Sequence, residues 1–336
     1  MIKNYLEKLL NNQNLSVSES YDTMDKIMSG EVSNILLSGF LIALKSKGET
    51  SDEIAGFAQA MRDKSIKINS ENAIDVCGTG GDKSGTFNIS TAVAFVVAGA
   101  GISVAKHGNR SVSSNSGSAD VLKELGVNID MTPELSEKAL EKIGIAFLYA
   151  PLYHPAMKYA AETRKVLGIR TIFNVLGPLT NPAGVKRQMI GTFNNYTAKL
   201  LRDAAEKLSY EKVKIICNKN RYDEILLDSE TMVFEYDFIK GQNDYSLNNT
   251  DFRYSKIDKE KLYTDNSKES AKIILDVLQN NSANGAFHTV AANAAVALKC
   301  ADYSETLEDC IKASEESIRS GAALKKLNDL IKISKG

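Results

Sequence analysis

Ala73-Ile74-Asp75-Val76-Cys77-Gly78-Thr79-Gly80-Gly81-Asp82 is the stretch on which the reading of this chain turns. A short apolar run, read as a strand, breaks into a glycine-rich turn. After residues 83–86 the chain passes Asn88-Ile89-Ser90-Thr91 and enters a long apolar segment ending near Ala100, read as a helix. A second unit of the same kind follows at once. Ile102-Ser103-Val104-Ala105 reads as a strand, residues 106–117 as a polar loop and residues 118–125 as a helix. Two successive units with such loops can hold two anionic groups side by side. Glycine lets backbone N–H groups approach an oxyanion, and each helix start adds unpaired donors and the positive end of a dipole.

A chain of 336 residues can bury a large core, as two domains or as one large α/β domain. With 43% apolar and 25% charged residues it has the composition of an ordinary soluble globular protein. A formal net charge of −1 and a pI near 6.4 provide no bulk positive field for nucleic acid or an anionic membrane, so any anion site must be local. Cys77, Cys217, Cys300 and Cys310 lack metal-site spacing and disulfide density, and read as reduced, packed thiols rather than nucleophiles. No leader pattern opens the chain, and its most apolar stretch, residues 92–105, falls short of the ~20 residues a bilayer span needs. The expected location is the cytoplasm.

Ahead of the two loops the periodicity predicts four short helices. Ile2, Tyr5, Leu6, Leu9 and Leu10 share one face, the second helix starts at Ser18 and ends near Gly30, and the third runs over residues 32–47 to a cap at Gly48. Ser51 is the candidate N-cap of the fourth. Such a unit serves for packing or as a dimer surface. Beyond the loops, helices are expected over residues 132–143, 155–166, 267–278, 291–298, 306–320 and 322–333. Strands are expected over 145–149 and 213–217, with another beginning at 225–227. Residues 174–182, with two prolines and a glycine, read as a rigid crossover rather than a helix.

Within the first loop, Asn88, Ser90 and Thr91 either cap the next helix or bind a phosphate or hydrated cation. Neither a P-loop nor a dinucleotide GxGxxG turn is present. From Lys106 to Ser118 the second loop gathers two cations, two amides and five hydroxyls around two glycines. It sits at a strand's carboxyl end, where open α/β sheets bind ligands. Lys106 can supply a point charge for a diphosphate. Arg110 is either part of this loop's chemistry or a surface ion pair, and His107 lies beside the site or takes part in it. Arg164 reads as a solvated charge or as a planar partner for a carboxylate. Asp223 and Glu224 read as solvated loop acids or, from an irregular turn, as ligands.

These residues carry a resemblance. Gly78-Thr79-Gly80-Gly81-Asp82, Asn88-Ile89-Ser90-Thr91, the run 106–122, Ala150-Pro151-Leu152-Tyr153-His154-Pro155-Ala156-Met157, Asn174-Val175-Leu176-Gly177-Pro178-Leu179-Thr180-Asn181-Pro182, Asp223-Glu224-Ile225 and Asn293-Ala294-Ala295 resemble the anthranilate phosphoribosyltransferases. The match runs nearly the full length and includes Lys47-Gly48-Glu49-Thr50. Residues 218–222 depart from the family's glycine-containing approach to the acidic pair, and residues 240–265 diverge.

The resemblance implies an α/β fold: a small all-helical domain plus a larger α/β domain with a central mixed sheet flanked by helices. Residues 1–70, with a return segment at about 165–188, would form the helical domain, and residues 71–164 and 189–336 the other. It implies transfer of a phosphoribosyl group from 5-phosphoribosyl 1-diphosphate to anthranilate, with Mg2+ as cofactor, in a cytoplasmic homodimer joined through the helical domain. Gly78, Gly81, Asp82, Thr86, Asn88, Ile89, Ser90 and Thr91 would hold the donor. So would Lys106, His107, Gly108, Asn109, Arg110, Ser111, Val112, Ser113, Ser114 and Ser118. Gly78, Asn109, His154 and Arg164 would meet anthranilate, with His107 near its path, and Ser90, Asp223 and Glu224 would bind the metal. No residue is assigned as a catalytic acid or base. Two rivals are a nucleoside phosphorylase of the same fold and a nucleic-acid-binding relative. The first would carry a Lys-His-Ser-Thr-Gly-Gly loop where this chain reads Lys106-His107-Gly108-Asn109-Arg110, and the near-neutral charge opposes the second.

Overall fold

The computed structural model describes residues 2–70, 72–80, 85–110, 116–282 and 285–336. Gly81, Asp82, Ser111, Val112, Ser113 and Ser114 lie outside the described residues.

Four helices open the chain: α1 (Ile2–Leu10), α2 (Val17–Met28), α3 (Asn34–Lys47) and α4 (Ser51–Asp63). Thr50, not Ser51, caps α4. Its hydroxyl accepts the Glu53 N–H while the Glu53 carboxylate accepts the Thr50 N–H at 2.8 Å, a reciprocal box that satisfies two orphan donors. Glu53 is fully buried, pairs with Lys47 at 3.0 Å and accepts the Leu15 N–H, so the stretch 47–50 knots three helices together.

Next come β1 (Ile74–Gly78), α5 (Ile89–Gly99), β2 (Val104–Gly108), α6 (Ser118–Glu124), α7 (Pro133–Ile143) and β3 (Ile145–Tyr149). α8 (Ala150–Tyr153), a 3-10 turn, α9 (Lys158–Leu167) and α10 (Phe173–Leu176) lead to β4 (Arg187–Gly191), α11 (Asn195–Lys207), β5 (Lys212–Asn218), β6 (Thr231–Asp237) and β7 (Gly241–Leu247). The tail is α12 (Ser267–Leu278), α13 (Ala286–Cys300), α14 (Leu307–Arg319) and α15 (Ala322–Ile333). The strands form one mixed sheet in the order β3-β2-β1-β4-β5-β6-β7, parallel as far as β5 and antiparallel beyond it. Helices α5 and α13, each with nearly every side chain buried, pack on one another and on the sheet. This explains the uniformly apolar 92–100 segment: it is a core helix. Among the described residues no helix is long and apolar enough to cross a membrane.

Two further local expectations fail. Residues 225–227 are not a strand. The Asn293 amide takes both the N–H and the C=O of Ile225, at 3.0 and 2.9 Å, and Asn218 binds the Leu226 carbonyl, which uses up the groups a ladder needs. Residues 173–180 do form helical turns: α10 runs into a 3-10 turn over Gly177–Thr180, where Pro178 stands at a position whose N–H has no helical partner anyway. α9 lies on α3, tied by Asn34 to Glu162 at 2.7 Å and by Thr163 to Asn34 at 3.2 Å.

Candidate active site

Chain direction across the sheet reverses between β1 and β4. The crevice at the carboxyl ends of two such strands is the expected ligand position in an open α/β sheet. Gly78 and Gly191 end these strands and are register partners. Both face Asp223. A side chain on Gly78 would meet the Asp223 carboxylate at 2.4 Å, and one on Gly191 would meet the Asp223 carbonyl oxygen at 1.7 Å. The missing side chains are what let the acidic turn lie over the strand ends.

A cleft of about 320 Å³ opens here. Gly78, Thr86, Asn88, Ser90, Lys106, His107, Gly108, Asn109, Arg110, Ser118, Arg164, Asp223 and Glu224 all line it. Three residues expected at the site do not. Ile89 is buried in the core, Thr91 is fully buried with its hydroxyl on Asn88 at 2.6 Å, and His154 stands behind His107 with ring centroids 5.2 Å apart. Asn88 caps α5, its side chain accepting the Thr91 N–H, and lines the cleft as well. Thr79, Phe173, Asn174, Gly177 and Pro178 also line the cleft. Phe173 was not singled out in the sequence, because a lone aromatic beside a crossover carries no signal of its own.

Lys106 is 4% exposed. Its ammonium donates to the Val76 carbonyl at 2.7 Å and to Ser90 Oγ at 3.2 Å, and burial lowers its pKa against the opposing pull of Asp75. Asp75 is wholly buried beneath the loops, and burial raises its pKa to about 6 although Lys106 and its hydrogen bonds favour the charged form. It accepts from the His107 N–H at 3.2 Å, Asn181 at 2.9 Å and Gln188 at 3.0 Å. Asp75 thus joins β1, β2, β4 and the crossover into one hub.

Burial, with a repulsive contribution from His154, lowers the His107 pKa to about 3. Burial lowers that of His154 to about 4. The backbone at Gly177 favours the charged form of His107 and that at Thr180 the charged form of His154, both against burial, and each ring leaves a buried Nε2 without a protein partner. Both are neutral at physiological pH. Arg164, on α9, stacks over Phe173 at 5.2 Å, and burial lowers its pKa. No carboxylate among the described residues forms an ion pair with it.

The acidic turn contributes hard oxygen donors. Asp223 Oδ2 accepts the Gly80 N–H at 3.3 Å, and Thr86 Oγ1 donates to Glu224 Oε2 at 2.8 Å. Among the described residues no three His, Cys, Asp or Glu side chains group closely enough to hold a metal by themselves. Two carboxylates and a hydroxyl around a cleft fit a magnesium ion that takes its remaining oxygens from phosphate and water.

Residues 70–324 match the glycosyl transferase family a/b domain, and residues 3–65 the helical bundle domain of the same family. The chain is 43% identical to the anthranilate phosphoribosyltransferase of Alkaliphilus metalliredigens, over 99% of this chain and 98% of that one. It belongs to the anthranilate phosphoribosyltransferase family. The anthranilate phosphoribosyltransferase of Thermus thermophilus shares the fold with a TM-score of 0.92 at 34% identity, covering 98% of this chain and 99% of that one. That of Saccharomyces cerevisiae, solved in complex with PRPP and Mg, gives a TM-score of 0.91 at 28% identity, covering 99% and 98%. The same yeast protein has been solved with 4-fluoroanthranilate.

Proposed function

We propose that this chain transfers the phosphoribosyl group of 5-phosphoribosyl 1-diphosphate to the amine of anthranilate, releasing diphosphate, in tryptophan biosynthesis. The observation that carries the reading is that a buried lysine, two carboxylates and an arginine from three separate segments line one cleft. Relatives named for this activity, and a yeast relative solved with the donor and with a substrate analogue, support it.

Departure of diphosphate leaves positive charge on the ribose carbon and negative charge on the leaving group. Lys106 in the cleft would meet that negative charge, together with Gly81, Asp82 and residues 111–114. Ser90, Asp223 and Glu224 would hold magnesium, which supplies charge neutralisation on the diphosphate oxygens. Arg164 would grip the anthranilate carboxylate through two parallel hydrogen bonds, with Gly78 and Asn109 beside it. His107, backed by His154, would form a neutral wall on the aromatic side. An aromatic amine attacks as a neutral nucleophile, so no strong base is needed. Fixed donors and positioning can each supply on the order of 3 to 10 kcal/mol.

We assign the helical domain to residues 1–70 with the return segment at about 165–188, and place the enzyme in the cytoplasm as a homodimer. Ile35 on α3 and Val166 on α9, 88% and 79% exposed on two packed helices, support pairing through that domain. The reaction is tested by the loss of anthranilate fluorescence. It should require both the phosphoribosyl donor and magnesium; loss without the donor, or none with both, counts against it.

A further inference from the structure

Residues 218–222 and the 259–264 part of the segment 240–265 meet beside the cleft. Tyr263 pairs with Thr86 in an antiparallel bridge. On either side of that bridge the Phe87 N–H donates to the Leu262 carbonyl at 2.8 Å, and the Thr264 N–H to the Gly85 carbonyl at 2.7 Å. Thr86 in turn holds Glu224. From the same strap, the Lys259 ammonium donates to the Tyr222 hydroxyl at 3.1 Å and stands 4.9 Å over its ring. Tyr222 immediately precedes Asp223.

Three segments therefore close into a ring: 85–87, 222–224 and 259–264. The strap is fixed at its root, because Leu262 and Phe252 are buried and Tyr254 donates to Glu315 at 2.7 Å. The turn it touches needs support. Lys219 and Asn220 sit at φ values of +50° and +53°, a region a lysine rarely adopts, in an approach without glycine.

We propose that Lys259 is a positioning residue acting through Tyr222: with the backbone of residues 262–264 it holds the 222–224 turn and the 85–87 segment in the one arrangement in which Asp223 and Glu224 receive magnesium diphosphate. The ligand's identity rests on the proposed reaction; the clamp itself rests on the contacts.

The test is calorimetric binding of inorganic diphosphate, with and without magnesium, to the full-length protein and to Lys259→Met, Tyr222→Phe and Lys259→Arg. Lys259→Met and Tyr222→Phe should weaken binding in the presence of magnesium by about 10-fold, the lower end for partners that orient metal ligands. The magnesium-free affinity should change less, and Lys259→Arg should recover most of the loss. In turnover assays the donor KM should rise while the anthranilate KM stays within about twofold, a split that a purely structural role would not give. Equal binding by wild type and both variants, or a fall in melting temperature with unchanged affinity, overturns the clamp, as does a wild-type protein that binds no magnesium diphosphate. A wild type that binds it but does not consume anthranilate counts against the reaction alone.

Discussion

Gly191 and Asp223 are in backbone contact: a β-carbon on Gly191 would stand 1.7 Å from the Asp223 carbonyl oxygen. Gly191→Ala must therefore push the acidic turn away from the end of β4. The expected outcome is a stable fold with kcat/KM lowered by roughly 10- to 100-fold and a higher magnesium requirement, the size of effect seen when metal ligands are misoriented. Steady-state kinetics over a magnesium titration checks it; wild-type kinetics would show that the turn can lie elsewhere at no cost.

Lys106 is wedged between the Val76 carbonyl and Ser90 Oγ in a fully buried position above Asp75. Lys106→Met should weaken donor binding by about 10-fold or more, since hydrogen bonds to charged groups contribute roughly 1.5–3 kcal/mol. Lys106→Arg should not restore it, because the planar fork does not fit a site shaped for a point charge. Titration calorimetry with the donor decides the matter.

The paired histidines predict an acid-side loss of stability. Their folded pKa values, about 3 for His107 and about 4 for His154, lie below the ordinary 6.5. As pH falls through 6.5 the unfolded chain takes up protons that the folded chain refuses, so stability is present above 6.5 and drains away below it. Between pH 7 and 5 each ring should cost about 2 kcal/mol. Denaturant unfolding at the two pH values, compared with His154→Gln, should show the variant losing about 2 kcal/mol less than wild type. An equal loss in both proteins would place the titration elsewhere.

The chemistry of the cleft was legible in the sequence because it is local. Lys106 at the end of β2, Arg110 beyond it and Ser118 at the start of α6 stand within one short polar run, and Ser90 sits at a helix start. Gly191 was not legible: a glycine closing an apolar strand carries no mark of the aspartate 32 positions onward that fills its empty side. Asp75 reads as a polar interruption in a strand until Asn181 and Gln188 converge on it. The triplet Ile225-Leu226-Leu227 has strand chemistry, yet its backbone is claimed by Asn293, nearly 70 residues away. Thr50 was passed over for Ser51 by a single position, which only the reciprocal bonds with Glu53 distinguish. In each case a contact distant in sequence overrides a correct local preference.

Placing donor and acceptor at opposite sides of one cleft makes Arg164 and Asp223 separable. The most direct measurement is KM for both substrates in Arg164→Ala and Asp223→Asn, read by anthranilate fluorescence. Arg164→Ala should raise the anthranilate KM by roughly 10- to 100-fold with little change for the donor, and Asp223→Asn should do the reverse. Equal rises in both constants in either variant would contradict the assignment.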